Sequence, residues 1–157
     1  MKRWFILSAI GSDRPGLVAE LAQLIYDCGA NLEDSRMTIL GSDFAVILLC
    51  SAGAGEPLDK IAVGANRLER DHGLSILTRA LEGEPRPPLP APGTRLDRVE
   101  AVGEDRAGIV AGICRVLADR SVNIGELTTR SRTGPGGAPS YELAIVAEVP
   151  DSADPRE

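Results

Sequence analysis

Two stretches of the chain place a polar, glycine-bearing turn directly ahead of an apolar helical pattern. The first is Gly11-Ser12-Asp13-Arg14-Pro15-Gly16-Leu17-Val18-Ala19, and it returns as Gly103-Glu104-Asp105-Arg106-Ala107-Gly108-Ile109-Val110-Ala111 at an offset of 92 positions. Such a turn leaves the first amides of a helix without carbonyl partners, and these amides, with the helix dipole, attract anions. In the first copy Ser12, Asp13, Arg14, Pro15, Gly16 and Leu17 form a corner suited to a carboxylate, and Gly16 permits close approach of a ligand or of backbone. Asn31, entering the next predicted strand, offers both donor and acceptor groups. An amino acid needs amide hydrogens for its carboxylate and oxygen acceptors for its ammonium group, and these residues supply both. The plainer reading is that Asp13 and Asp105 cap helices, that the arginines are solvated, and that Asn31 and Asn123 tolerate left-handed geometry.

Elsewhere the chemistry is sparse. His72, the single histidine, sits alone at a predicted helix end with no Cys or carboxylate relay, so a histidine-based triad has nothing to build on. Thr133 to Pro139 is rich in glycine but lacks the lysine and following helix of a phosphate-binding loop, and reads as a long hairpin tip. Arg130 and Arg132, near a strand end, are either solvated or available to an anionic ligand or partner. Cys28, Cys50 and Cys114 lie far apart in apolar segments and read as small buried hydrophobes, not as a disulfide framework or zinc site. Neither catalytic residues nor a metal or cofactor site is expected.

The elements that position the turn follow from periodicity. Trp4 to Ile10 reads as a buried strand. From Pro15, Leu17, Val18, Leu21, Leu24, Ile25 and Cys28 form one apolar helical stripe, with Gly29 as the stop. Asn31 to Leu40 and Phe44 to Cys50 flank Gly41-Ser42-Asp43 as a hairpin. Glu56-Pro57 opens a second helix with Leu58, Ile61, Ala62, Ala65 and Leu68 on one side, His72-Gly73 closes it, and Leu74 to Leu81 is a last strand. The order βαββαβ is the ferredoxin-like arrangement, with both helices on one face of an antiparallel sheet.

Residues 82–97, with the proline run from Pro85 to Pro92, read as an extended linker. The second copy repeats a strand from Arg98 to Val102 and a helix from Ala107 to Arg120, with Ile109, Val110, Ile113, Val116 and Leu117 inward. Strands from Val122 to Ser131 and Tyr141 to Val149 follow, before a polar tail over 151–157. The expected fold class is therefore α+β, with two ferredoxin-like modules. The first spans 1–81 and is complete; the second spans 98–150 and lacks the last helix and strand. Its first strand would be a bare sheet edge, to be covered by the first module or another subunit unless the chain is cut short.

Composition bounds the function. Of 157 residues, 43% are hydrophobic and 25% charged, which is globular and neither disordered nor collagen-like. The net charge of −6 repels nucleic-acid phosphates, and 3% aromatic residues leave few stacking platforms, so direct binding of DNA is not expected. The apolar run after Met1 stops at Gly11, too short for a signal peptide, and no run reaches transmembrane length; a reducing cytoplasm is the expected compartment.

Asp13-Arg14-Pro15-Gly16-Leu17-Val18 and Gly29-Ala30-Asn31-Leu32 resemble the ACT domain, a ligand-binding module of amino-acid metabolism, over the whole first module. Two such modules without a catalytic domain are similar to the glycine cleavage system transcriptional repressor family. The resemblance implies effector binding where the helix-one N-terminus of one module meets strand two of another, with Asp13 to Leu17 and Asn31 at the usual places. In the second copy Asp105, Arg106, Gly108, Ile109 and Asn123 match, while Ala107 stands in place of the proline and Glu104 adds an anion. The implied role is non-catalytic: sensing a small amino acid, glycine or a related metabolite, and acting on transcription through a protein partner such as a DNA-binding activator, as a homo-oligomer. The alternative is a regulatory subunit of a metabolic enzyme such as a formyltetrahydrofolate deformylase.

Overall fold

A computed structural model describes residues 2–53, 55, 57–86, 89–104, 108–133 and 139–153. The chain divides into two compact units, Met1–Arg86 and Pro87–Glu157. No helix among the described residues is long and apolar enough to cross a membrane.

In the first unit the elements are β1 (Arg3–Ser12), α1 (Leu17–Asp27), β2 (Ala30–Leu40), β3 (Asp43–Ala52), α2 (Pro57–His72) and β4 (Ser75–Leu81). The sheet order is β2-β3-β1-β4, with every pair antiparallel. Alternation decides which face is covered: Phe5, Leu7 and Ala9 of β1 and Phe44, Val46, Leu48 and Cys50 of β3 all point to one side and are buried. Both helices lie there, α1 through Leu17, Leu21 and Ile25 and α2 through Pro57, Ile61 and Ala65. The two helices approach closely at Gly64, where a Cβ would collide with Leu24 Cδ1. Two of the expected inward positions turn outward: Val18 is 43% exposed and Ala62 is exposed, because the buried arc on each helix is narrower than the apolar stripe. Glu56, expected to open α2, lies outside the described residues.

The second unit contains β5 (Thr94–Glu104), α3 (Ile109–Asp119), β6 (Asn123–Thr133) and β7 (Pro139–Pro150), with antiparallel order β5-β7-β6. This is a βαββ half of the same plan, so the last helix and strand are absent among the described residues. Its core is small. Leu143, Ile145 and Ala147 are buried, while Val110, Ile113 and Leu117 of α3 only partly cover them and Val116 is half exposed. β5 begins at Thr94, four residues ahead of the strand expected from Arg98, because Asp151 N bonds Gly93 O at 2.9 Å and the ladder with β7 runs on to Pro150. Residues 89–93 are thus tied to this sheet and are not a bare spacer: Ala91 N donates to Glu148 Oε1 at 2.7 Å, and Leu89 packs over Gly125.

Helix ends repeat in detail. Gly29 follows α1 with φ +73° and its amide bonds Tyr26 O; Ser121, at the matching place after α3, has φ +57° and bonds Ala118 O. The left-handed position suits glycine, and the second copy fills it with serine.

Candidate functional site

The turn after β1 is held from the hairpin side. Ser12 pairs with Asp43, and Asp13 N donates to Ser42 O at 2.9 Å. Gly16 occupies the N-cap of α1 with φ +97°, Gly108 does the same for α3 with φ +90°, and neither helix has a side-chain cap. Asp13 is therefore not a helix cap. A Cβ on Gly16 would meet nothing nearer than Glu20 Oε1 at 3.9 Å, so the demand for glycine is conformational and not one of space. With no capping oxygen, the amides of the first turn of α1 are left for a group from outside. The Leu17 side chain, 2% exposed, belongs to the core, which limits its share in a ligand to its amide.

Arg14 is not simply solvated. Its Nη2 donates to both carboxylate oxygens of Glu20, at 2.9 and 3.2 Å, and to His72 Nδ1 at 2.7 Å. His72 Nε2 lies 2.6 Å from Glu20 Oε2. A guanidinium only donates, so Nδ1 accepts and Nε2 carries the proton toward Glu20. His72, expected to stand alone, thus joins the turn, α1 and the end of α2 in one cluster. A cleft of about 460 Å³ between α1 and α2 opens beside it, lined in part by Glu20, Gln23, Leu24, Arg67 and His72. Arg14 and His72 are 58 residues apart, and only helix packing unites them, so sequence reasoning missed the cluster.

Asn31 is not part of this corner within its own unit. It pairs with Ser51 at one end of β3 while Ser12 pairs with Asp43 at the other, eight residues or about 26 Å away. There the Asn31 side chain bonds Glu33, which also accepts from Ser51 Oγ and Lys2 Nζ, the last at 2.8 Å. The Lys2, Ser51 and Asn31 hydrogen bonds, in that order of weight, hold the Glu33 carboxyl down at about 2. Lys2 also lies over the Trp4 ring, 4.5 Å from its centre. In the second unit Asn123 Nδ2 donates to Glu148 Oε2 at 3.1 Å. The other oxygen of Glu148 accepts from Ala91 N and Thr94 Oγ1.

Of the second copy's turn, Gly108 and Ile109 are seen at the start of α3, whereas Asp105, Arg106 and Ala107 lie outside the described residues, as do positions 134–138 of the glycine-rich loop. Arg132 Nε pairs with Glu142 Oε2 at 3.4 Å. A shallow cavity of about 400 Å³ lies on the helix-free face of this sheet, between Arg98, Glu126, Arg130 and Glu142. The matching face of the first unit is apolar, with a hollow of about 540 Å³ bordered by Ile10, Met37, Ile47 and Leu77. Burial pushes the Cys50 thiol up to about 11, with Glu33 adding to it, and burial also raises Cys28, so these thiols are poor nucleophiles. Among the described residues no group of three or more His, Cys, Asp or Glu could hold a metal ion.

The family model for the ACT domain matches residues 3–77. The glycine cleavage system transcriptional repressor of Escherichia coli (strain K12) is 29% identical over 154 residues, covering 98% of this chain and 78% of that protein. A solved structure of an unknown protein from Galdieria sulphuraria is 32% identical, covers 96% of this chain and 84% of its own, and superposes with a TM-score of 0.77. The structure of a candidate glycine cleavage system transcriptional repressor, 20% identical over 98% of this chain and 84% of its own, superposes with a TM-score of 0.72 and shares the fold.

Proposed function

Residues 3–77 belong to the ACT-domain family, and on that premise we propose that the chain is a non-catalytic regulatory protein that binds a small amino acid, glycine or a close relative. The output is control of the expression of amino-acid or one-carbon genes of the glycine cleavage type. The observation that carries this reading is the uncapped turn of α1: a left-handed Gly16, no side-chain cap, and amide hydrogens left for a carboxylate. Similarity to a transcriptional repressor over 98% of this chain and 78% of that protein supports the regulatory part.

Because Asn31 stands about 26 Å from the turn of its own unit, the acceptor for the ammonium group at this turn is Asp13 or a backbone oxygen, and an asparagine would reach it only from another module or another chain. With a net charge of −6, the protein acts through a DNA-binding partner and does not read DNA itself. The test is thermal melting with a panel of amino acids. A ligand at 100 times its dissociation constant adds about 2.7 kcal/mol, a visible upward shift, and an Asp13→Ala variant should respond less. If no amino acid at millimolar concentration raises the melting temperature, the sensing role is wrong.

A further inference from the structure

The two central strands of the first unit, β1 and β3, are apolar on both faces. An antiparallel sheet with one face in water alternates apolar and polar residues along each strand, whereas an unbroken apolar run marks a strand buried on both faces. Only Ser8 interrupts Trp4 to Ile10, and nothing polar interrupts Phe44 to Cys50. Odd positions of β1 and even positions of β3 fill the core under the helices. Ile6, Ile10, Ala45, Ile47 and Leu49 therefore lie on the helix-free face, joined by Leu77 of β4, and Ile10, Ile47 and Leu77 are 53%, 49% and 68% exposed. The corresponding face of the second unit's sheet is charged instead, with Arg98, Glu100, Glu126, Arg130 and Glu142. On the apolar face, strand register puts a charge at each end of one row, which runs Asp34, Leu49, Ile6, Arg79 from β2 to β4. These two charges stand about 14 Å apart across three strand spacings, too far to pair with each other. Neither has an ion-pair partner among the described residues.

We infer that this face packs on the same face of a second copy, about a two-fold axis that lies between the sheets and runs parallel to the strands. Such an axis leaves height along the strand unchanged and exchanges left for right, so each row meets itself reversed. β2 lies over β4 of the second copy, and β3 over β1. Asp34 then faces Arg79 of the second copy at both ends of the row, Leu49 covers Ile6 and Ala45 covers Ile10. The stem of Arg36 lies on Leu77, with its guanidinium at the rim. Sheets stacked in this way sit about 10 Å apart with their strands within about 30°, a spacing that long side chains at the corners can bridge. The other axis that stacks these faces runs across the strands; centred on the Arg36 row, it sets Arg36 against Arg36 and Arg79 against Ser75. The charge pattern selects the first axis. One row supplies both members of each ion pair, which is the self-complementarity that a contact between identical copies requires.

Sedimentation velocity of the full chain over a concentration series, without added amino acid, tests this, and a dimer is expected at the top of the series. Ile47→Asp puts two carboxylates into the middle of the contact and should abolish the dimer; because Ile47 is half exposed, thermal melting should show that the variant still folds. Asp34→Arg and Arg79→Asp should each weaken the dimer by about tenfold or more, since each sets like charges opposite one another at both ends of the row. The two single variants mixed bring back both ion pairs and should form a heterodimer, and D34R/R79D should dimerise as the unmodified chain does. A wild-type chain that stays monomeric at every concentration would overturn the proposal and give the face to another occupant. So would a dimer indifferent to Ile47→Asp, or a folded D34R/R79D chain that stays monomeric. Amino-acid binding at the α1 turn enters none of these readouts, so the sensing role and this contact fail separately.

Discussion

The side-chain amide of Asn123 is spent on Glu148, a carboxylate 2% exposed and enclosed by Ala91 N and Thr94 Oγ1. A buried carboxylate needs each of those donors. Asn123→Ala should therefore cost the second unit about 1.5–3 kcal/mol in urea unfolding while leaving any amino-acid response of the Gly16 turn unchanged. An unchanged stability would mean that Glu148 finds another donor.

Glu33 makes the first unit sensitive to acid. Its folded-state value, about 2, lies below the ordinary 4.5, so its contribution is present above about pH 4.5 and drains away as pH falls toward 2. Glu33→Gln should flatten the stability profile across that window and lower stability at neutral pH. The effect is reduced by solvent screening, since Lys2 and Glu33 are 54% and 26% exposed. Chemical denaturation at a series of pH values reads it.

Ser121 holds a left-handed conformation, φ +57°, that glycine takes without steric cost. Ser121→Gly should stabilise the second unit by about 1 kcal/mol, and Gly29→Ser should destabilise the first by a similar amount. Opposite signs in urea midpoints are the signature.

Gly16→Ala strains the N-cap and should lower stability by about 1–2 kcal/mol. The same variant should blunt an amino-acid-induced rise in melting temperature if the first-turn amides hold the carboxylate. Full retention of that rise would move the ligand elsewhere.

Much of this was legible in the chain. The 92-residue repeat and the glycines at positions 16, 29 and 108 name the turns, because left-handed positions are a local demand that glycine answers. The strands from Trp4 and Phe44 were legible as apolar runs, but which face is inner was not, because Ile10 and Ile47 on one side are as apolar as Phe5, Leu7 and Phe44 on the other. The partners of Arg14 and the two asparagines were not legible. His72 reaches Arg14 only through the packing of α2 on α1, and the carboxylates beside Asn31 and Asn123 come from different strands, Glu33 on β2 and Glu148 on β7. The early start of β5 was hidden because Pro90 and Pro92 read as a spacer, while Ala91 and Gly93 in fact bond to the sheet.

The paired asparagines also bear on the history of the duplication. Glu33 stands where the repeat has Gly125, and Ser51 stands, by strand register, where it has Glu148. A chimera that carried β2 in place of β6 would crowd two carboxylates at one spot and drive a side chain into Leu89, and the reverse exchange would leave Lys2 with no anion. The halves have become complementary locks with different keys, so shuffling strands between them should lower the stability of the unit that receives the strand even where the backbones superimpose.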